Sequence, residues 1–426
     1  MKKILVYPCG TEIGLEIYKA MHNSIHYTLF GGSSSYDHGR FVYERHIDNL
    51  PFINDQSTED EIIAFNNMIK NYGFDFIYPA MDGVLTIFSK YRDLLDPIVI
   101  APDYETTFVT RSKRISYDLF GGVLPIPFEY TNKKEIKKFP IFVKPAVGQG
   151  SGGAQVIQSK EQLETISDEG MLYLEYLPGK EYTIDCFTNQ DGTLIYARGR
   201  ERKRIKGGIS VNAIFCDRPE FWEYACKINK KIKQKGGWFF QLKEDSNGNL
   251  KLLEIASRIA GTSSIVRNIG VNLPLLTANV FDGKVINSVM INDYEIELDR
   301  AFSNTFKLNL KYDTVYIDYD DTIVVNGKVN LEVISFLYQC VNKNRRIVLL
   351  SKHEGNLEEE LKKYRLEAIF DEICRISVSE NKKDFIKDRN SIFIDDSYGE
   401  RIQIWEKYRI PVFDTHMIEC LMEMQG

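Results

Sequence analysis

Two stretches of the chain hold residues that can do chemistry at phosphorus. In Ile141-Phe-Val-Lys144-Pro-Ala-Val-Gly148-Gln-Gly150-Ser151-Gly152-Gly153-Ala-Gln-Val156, a β-branched and aromatic run delivers a lysine, then a loop with four glycines. Backbone without Cβ atoms can fold closely over a ligand and turn N–H groups toward it, and a fixed ammonium beside such donors suits a polyphosphate. The stretch is not a P-loop, because no Gly-Lys-Ser/Thr closes it and no helix clearly follows. A hairpin loop with one surface lysine is the plain alternative. In the second stretch, Thr314-Val-Tyr-Ile317-Asp318-Tyr-Asp320-Asp321-Thr322-Ile323, an apolar strand ends in carboxylates. Acids crowded at a strand end repel one another unless a cation holds them, which favours a metal site over a solvated loop.

Further polar residues surround the first stretch. Thr110-Arg111-Ser-Lys113-Arg114 is read as opening a helix that runs to Phe120, and basic residues there oppose the helix dipole. That admits an anionic ligand or a solvated basic turn. The run Arg198, Arg200, Arg202, Lys203, Arg204, Lys206 reads either as a solvated strand edge or as a clamp on phosphate or carboxylate. Trp238–Lys243 and Leu250–Thr262 read as two strands around a Ser246-Asn-Gly-Asn turn, a hairpin that brings Gln241 and Glu254 together as hard oxygen ligands for magnesium. Asp82 follows a strand at Tyr78-Pro79, where open sheets bind ligands, although a helix N-cap is the plainer role.

The elements that must position these groups follow from the pattern. Ile4–Tyr7, Tyr27–Phe30, Phe76–Tyr78 and Ile98–Ile100 read as strands, with helices from Gly10 to Ala20 and Glu59 to Asn71. That alternation predicts a parallel sheet. Gly10 and Gly14 are a weak dinucleotide signal without GxGxxG. Met171–Leu177 reads as a strand ending near Glu175, followed by a Pro178-Gly179 turn and a strand that begins with Glu181. Near Lys311 a second unit starts.

Bulk properties set bounds. The 426 residues suffice for two to four domains, and 43% hydrophobic with 27% charged residues is an ordinary globular composition. A net charge of −6 argues against a protein that coats nucleic acid. Seven scattered cysteines with no CxxC pair read as reduced thiols of a cytoplasmic protein. No apolar run reaches the roughly 18 residues of a membrane span, and the opening Met-Lys-Lys-Ile-Leu-Val-Tyr-Pro reads as a strand, not a leader.

Strand-Lys144, the glycine loop, and Glu175-x-x-x-Gly179-x-Glu181-x-x-x-Asp185 together resemble the ATP-grasp superfamily, in particular its branch with carbamoyl-phosphate synthase and biotin carboxylase. The resemblance covers roughly residues 1 to 300. It implies an α/β pre-ATP-grasp domain over 1–105, Rossmann-like, and a two-lobed ATP-grasp fold over 106–305. It also implies that Lys113 and Lys144 contact the phosphates of ATP and that the loop Gly148, Gly150, Ser151, Gly152 and Gly153 folds over them. The backbone of Glu175, Tyr176 and Leu177 would read adenine, and Glu181 would hold the ribose. Of the family's Glu-x-Asn-Pro-Arg motif, Glu254 and Arg258 are present, but Ala256 stands where a ligand of the second Mg2+ belongs. Gln241 or water would substitute, and Arg258 would stabilise the transition state.

Asp318-x-Asp320-x-Thr322 resembles the first motif of the haloacid dehalogenase (HAD) superfamily. Three further elements follow in order: Arg346–Leu350 ending in Ser351, Lys382 or Lys383, and Ser391–Ile394 ending in Asp395-Asp396. Lys382 fits better from its spacing to Phe385-Ile386. The resemblance implies a Rossmann-like HAD phosphatase domain over 311–426. Asp318 would be the nucleophile, Asp320 the acid and base, and Ser351 and Lys382 the phosphoryl-steadying pair. Mg2+ would sit on Asp318, Asp320 (backbone) and the pair Asp395 and Asp396. The short spacings from Thr322 to Ser351 and from Ser351 to Lys382 leave no room for a large cap domain. The site would then be open to a bulky substrate or covered by the preceding lobes.

The combined expectation is a bifunctional enzyme that joins a small carboxylate to an amine through an acyl phosphate and hydrolyses a phosphomonoester. It would need no nucleic acid or membrane partner; similar ligases often form homodimers. A phosphatase whose nucleotide lobe only senses ATP is the first rival, and a non-catalytic second unit is another.

Overall fold

The computed structural model describes residues 1–148, 152–292, 294–301, 306 and 308–422, and all counts below are of those residues. The chain forms two compact units, 1–302 and 303–425.

The first unit begins with strands β1 (Lys2–Tyr7), β2 (Tyr27–Gly32), β3 (His46–Ile47), β4 (Phe76–Pro79) and β5 (Ile98–Val99), a parallel sheet in the order β3-β2-β1-β4-β5. The central strand β1 is apolar on both faces, as a parallel strand covered on two sides must be. Ile4 and Val6 face one buried cluster and Leu5 and Tyr7 another. The first cluster also holds Ile259, Leu273 and Val280, so this sheet shares a core with residues far along the chain.

Two antiparallel sheets follow. The smaller one pairs β6 (Glu129–Tyr130), β7 (Ile141–Pro145), β8 (Gln155–Ile157) and β9 (Met171–Glu175) in the order β6-β9-β7-β8. The larger one contains β10 (Glu181–Thr188), β11 (Leu194–Lys206), β12 (Ile209–Cys216), β13 (Gly236–Glu244), β14 (Leu250–Ala256) and β15 (Glu297–Asp299), in the order β14-β13-β10-β11-β12-β15. The basic run lies on β11: Arg200 is buried between β10 and β12, whereas Lys203 to Lys206 run past the end of β10, pair with β12 alone and are exposed. Every second residue meets a carboxylate: Arg198 with Asp217 (3.4 Å), Arg200 with Asp185 (2.8 Å), Arg202 with Glu181, and Arg204 with Asp299 (2.5 Å).

Two local expectations are corrected. Thr110 and Arg111 end one helix, Tyr104–Arg111, and a second, Lys113–Phe120, starts after Ser112. Ser112 is extended and its hydroxyl accepts from the Ile115 N–H, an N-cap that breaks the run in two. Asp82 is no N-cap: it is the first helical residue of Asp82–Lys90, after Met81.

The second unit is built on β16 (Thr314–Ile317), the hairpin of β17 (Val324–Val325) and β18 (Lys328–Val329), then β19 (Arg346–Ser351), β20 (Glu372–Arg375), β21 (Ser391–Ile394) and β22 (Val412–Phe413). Five of these form a parallel sheet in the order β20-β19-β16-β21-β22. The hairpin turns at Asn326 and Gly327, both at positive φ, the residue pair a tight two-residue turn prefers. Only that hairpin and the Leu331–Asn342 helix separate Thr322 from β19. Among the described residues, no helix is long and apolar enough to cross a membrane.

Candidate functional sites

In the first unit, Lys144 leaves β7 into a cavity of about 360 Å³ that Lys113, Glu181, Gln241, Glu254 and Arg258 also line. The ammonium is buried and donates to the Tyr117 hydroxyl (2.9 Å) and the Leu253 carbonyl (3.0 Å). Burial first, and the neighbouring charge of Lys113 second, pull its pKa down to about 7. Lys113, at the start of its helix, lies 3.5 Å from Glu254 and donates to the Gly148 carbonyl (3.2 Å). Gln241 and Glu254 are direct partners across β13 and β14, so two oxygen-bearing side chains share one face. Gly148 and Gly152 line the same cavity, and Gly153 adopts positive φ. Gly150 and Ser151 lie outside the described residues.

An adjoining slot of about 170 Å³ is walled by Phe142, Leu174, Tyr176, Leu177 and Leu253, with Glu175 at its rim. Lys144 and Glu181 line both spaces. The result is an apolar slot that opens beside an ammonium onto a polar chamber, a match for a flat base followed by a charged tail. Glu175 accepts from the Phe128 N–H (2.9 Å), while Glu181 is held by Arg202 and by Lys243 (3.1 Å).

Arg258 is gripped through two parallel bonds by Asp82, at 2.7 and 2.6 Å. Burial alone would raise the Asp82 carboxyl, but the Arg258 guanidinium outweighs it and holds the pKa below the usual range. Arg200 is fully buried against Asp185 and also donates to Thr262. Ala256 sits in an apolar cluster with Phe239 and Ala260 and offers no ligand atom. The hydroxyl of its neighbour Ser257 lies 2.9 Å from that of Thr110.

In the second unit the topology does the assembling. Asp318 follows β16, Ser351 ends β19 and Asp395 follows β21, and these three strands are parallel neighbours. Their carboxyl ends therefore meet at one edge, where such sheets take ligands. Lys382, from the short 3-10 turn Lys382–Asp384, is buried 2.7 Å from both Asp318 and Asp395. Burial raises the Asp318 carboxyl against the pull of Lys382; burial and the Asp318 charge push Asp395 up to about 7. Asp318, Asp395 and Asp396 each offer an oxygen within 4.8 Å of the others. Three hard oxygens at that spacing fit a divalent cation. Arg401 donates to the carbonyls of Asp395 (2.6 Å) and Asp396 (2.7 Å), which fixes the loop that carries them. Asp320 is half-exposed, and its carboxylate lies 3.0 Å from His353 Nδ1.

Residues 167–299 match a family model described as ATP-grasp in the biosynthetic pathway with Ter operon. Among solved structures, 68% of the chain superposes on three proteins, each at 16% identity. They are Rhizobium etli pyruvate carboxylase (TM-score 0.54), the biotin carboxylase domain of Hydrogenobacter thermophilus 2-oxoglutarate carboxylase in complex with MgADP and bicarbonate (0.54), and Staphylococcus aureus N5-carboxyaminoimidazole synthetase (0.55). The match covers 29% of the first of these chains, 72% of the second and 80% of the third. The chain carries an ATP-grasp domain. No curated protein matches the chain.

The sequence reading of the ATP-grasp domain overlooked Tyr117, which braces Lys144 from a helix, and the partnerships of Asp82 with Arg258 and Asp185 with Arg200. Asp82 has a signal in its place after a parallel strand, Asp185 in the Glu175-to-Asp185 spacing and Arg200 in the basic run, whereas Tyr117 has none. In the second unit the overlooked residues are His353 and Arg401, neither of which has a pattern of its own.

Proposed function

We propose that the ATP-grasp domain is an ATP-dependent carboxylate–amine ligase that works through an acyl phosphate. The observation that carries this reading is the convergence of Lys113, Lys144, Glu254 and Arg258 on one chamber beside an apolar slot. Adenine fits the slot, and the two lysines draw the phosphate tail into the chamber. Mg2+, on Glu254 with Gln241 beside it, would neutralise phosphate charge. A substrate carboxylate oxygen attacks the terminal phosphorus as its bond to the ADP oxygen breaks, and the amine then attacks the acyl carbon, expels phosphate and gives up a proton. Arg258, fixed by Asp82, meets the charge that develops during transfer without having to reorganise. The solved neighbours with MgADP and bicarbonate, and with N5-carboxyaminoimidazole synthesis in their names, support this class of chemistry.

We further propose that residues 303–425 are a phosphomonoesterase of the HAD kind. Support comes from Asp318, Ser351, Lys382, Asp395 and Asp396 meeting at one sheet edge. Asp318 attacks phosphorus, Asp320 protonates the leaving oxygen and then activates water, and Lys382 offsets charge on the phosphoryl group. Mg2+ on the carboxylate trio would reduce the repulsion between nucleophile and phosphate.

Ala256 favours one rival, an ATP-sensing domain that turns over poorly. Screening pooled carboxylic acids and amines for ADP release decides between them: steady, acid-dependent ADP release supports the ligase, and its absence with bound ATP supports the sensor. Asp318→Asn should abolish aryl phosphate hydrolysis and spare ADP release, and Lys144→Ala should do the reverse. If both variants lose phosphatase activity, or neither does, the division of labour is wrong.

A further inference from the structure

We propose that His353 is a positioning residue that holds the Asp320 carboxyl in the orientation from which it protonates the leaving oxygen. The inference rests on the phosphomonoesterase reading of residues 303–425.

Asp320 must present one carboxyl oxygen to a bound ester, yet its side chain is 53% exposed. The terminal torsion of an aspartate is broad, so an exposed carboxyl samples many orientations. Among the described residues, His353 is the side chain that bonds it: Nδ1 lies 3.0 Å from both Oδ1 and Oδ2. A contact shared between both oxygens ties the carboxyl group to one point of the ring and narrows the orientations it samples.

His353 is itself well fixed. Its N–H donates to Ser351 Oγ (3.2 Å), and its carbonyl accepts from Arg375 Nε (3.1 Å). Arg375 also donates to the Glu354 carbonyl (3.2 Å), and the Ile376 N–H donates to the Ser351 carbonyl (3.0 Å). The backbone from Ser351 to Glu354 is therefore tied at both ends to the strand beside it. The ring stands edge-on to Tyr319, with centroids 5.2 Å apart at 82°. Among the described residues its far nitrogen, Nε2, is buried with no hydrogen-bond partner, so the ring's polar contact is with Asp320. Gly355 leaves room for that edge of the ring: a Cβ there would lie 2.7 Å from Nε2. A histidine so enclosed imposes its orientation on the carboxyl it touches.

The consequence depends on the leaving group. In the first step a bond forms between an Asp318 oxygen and phosphorus while the ester P–O bond breaks. The electron pair stays on the leaving oxygen, which takes the proton from Asp320. An alkoxide needs that proton; a nitrophenolate hardly does. Loss of orientation should therefore slow alkyl phosphates and spare activated aryl phosphates, whereas general damage to the site would slow both.

The test uses the full chain with Mg2+, p-nitrophenyl phosphate and β-glycerophosphate, read as kcat/KM so that the shared hydrolysis of the aspartyl phosphate does not mask the first step. His353→Ala should lose on the order of 10- to 100-fold with the alkyl ester and under about threefold with the aryl ester. His353→Asn, which keeps a nitrogen near the Nδ1 position, should recover most of the alkyl activity. Gly355→Ala displaces the ring without removing it and should reproduce the alkyl-selective loss, which keeps the test decisive if His353→Ala unfolds. Equal losses on both esters, or none on either, would overturn the role of His353. A wild-type protein that hydrolyses neither ester would instead remove the phosphomonoesterase reading, and this inference with it.

Discussion

Lys144 gives the sharpest test of the ATP-grasp chamber, through pH. Its ammonium is buried against a hydroxyl and a carbonyl, with Lys113 nearby and, among the described residues, no carboxylate in direct contact, and its pKa falls to about 7. A phosphate tail needs the charged form. With that pKa, about nine-tenths of the lysine is charged at pH 6 and about one-tenth at pH 8, so affinity for ADP should drop about tenfold, or ~1.4 kcal/mol, across that interval. Nucleotide bound at pH 8 must recharge the amine, so calorimetry in buffers of different ionisation heat should register uptake approaching one proton. The sign for stability is opposite. The unfolded lysine holds its proton up to its ordinary value of 10.5, so the empty protein gains stability as pH rises from about 7 toward that value. Lys144→Arg keeps its charge throughout and provides the reference, since titration of the nucleotide itself is common to both proteins. Equal affinity at pH 6 and pH 8 in the wild type, with the same proton count as Lys144→Arg, would refute the argument.

Other outcomes follow from particular contacts. Asp82→Ala should cut ADP formation by on the order of 10- to 100-fold by freeing Arg258. It should also cost about 2–3 kcal/mol in urea unfolding, below the full penalty for breaking a buried pair because both side chains retain some solvent. Arg200→Leu strands the fully buried Asp185 and should cost about 3–5 kcal/mol by the same measurement. Gly236→Ala combines positive φ with a Cβ placed 2.5 Å from Thr277 and should cost about 2–4 kcal/mol. Gly192→Ala, at similar φ but in open space, should cost only about 1–2 kcal/mol, and equal shifts in Tm for the pair would discard the steric part.

The residues legible in advance are those fixed by strand ends. Lys144, Glu254, Asp318, Ser351 and Asp395 sit at or just beyond apolar runs whose period and length define a strand, so their delivery to a sheet edge follows from local pattern. Tyr117, Asp82 and His353 act through partners 27, 176 and 33 positions away, and separations of that kind are set by packing, which no local period encodes. The basic run shows the limit most plainly. Its charges look unmatched along the chain, but β10, β15 and Asp217, just after β12, bring the acids alongside only after the sheet forms. The break at Ser112 was legible in principle, since serine is a favoured N-cap, but continuous polarity on both sides hid it.

The bidentate grip of Asp82 on Arg258 also bears on what can be cut away. Residues 167–299, the portion that matches the family model, contain Arg258 but neither its carboxylate anchor nor Lys113 and Lys144. Excised by itself, that segment would carry an arginine free to swing and a chamber missing a wall. Minimal versions of the proposed ligase should therefore begin at the opening strand, because the leading parallel sheet shares a core with the later residues and supplies the carboxylate that holds Arg258.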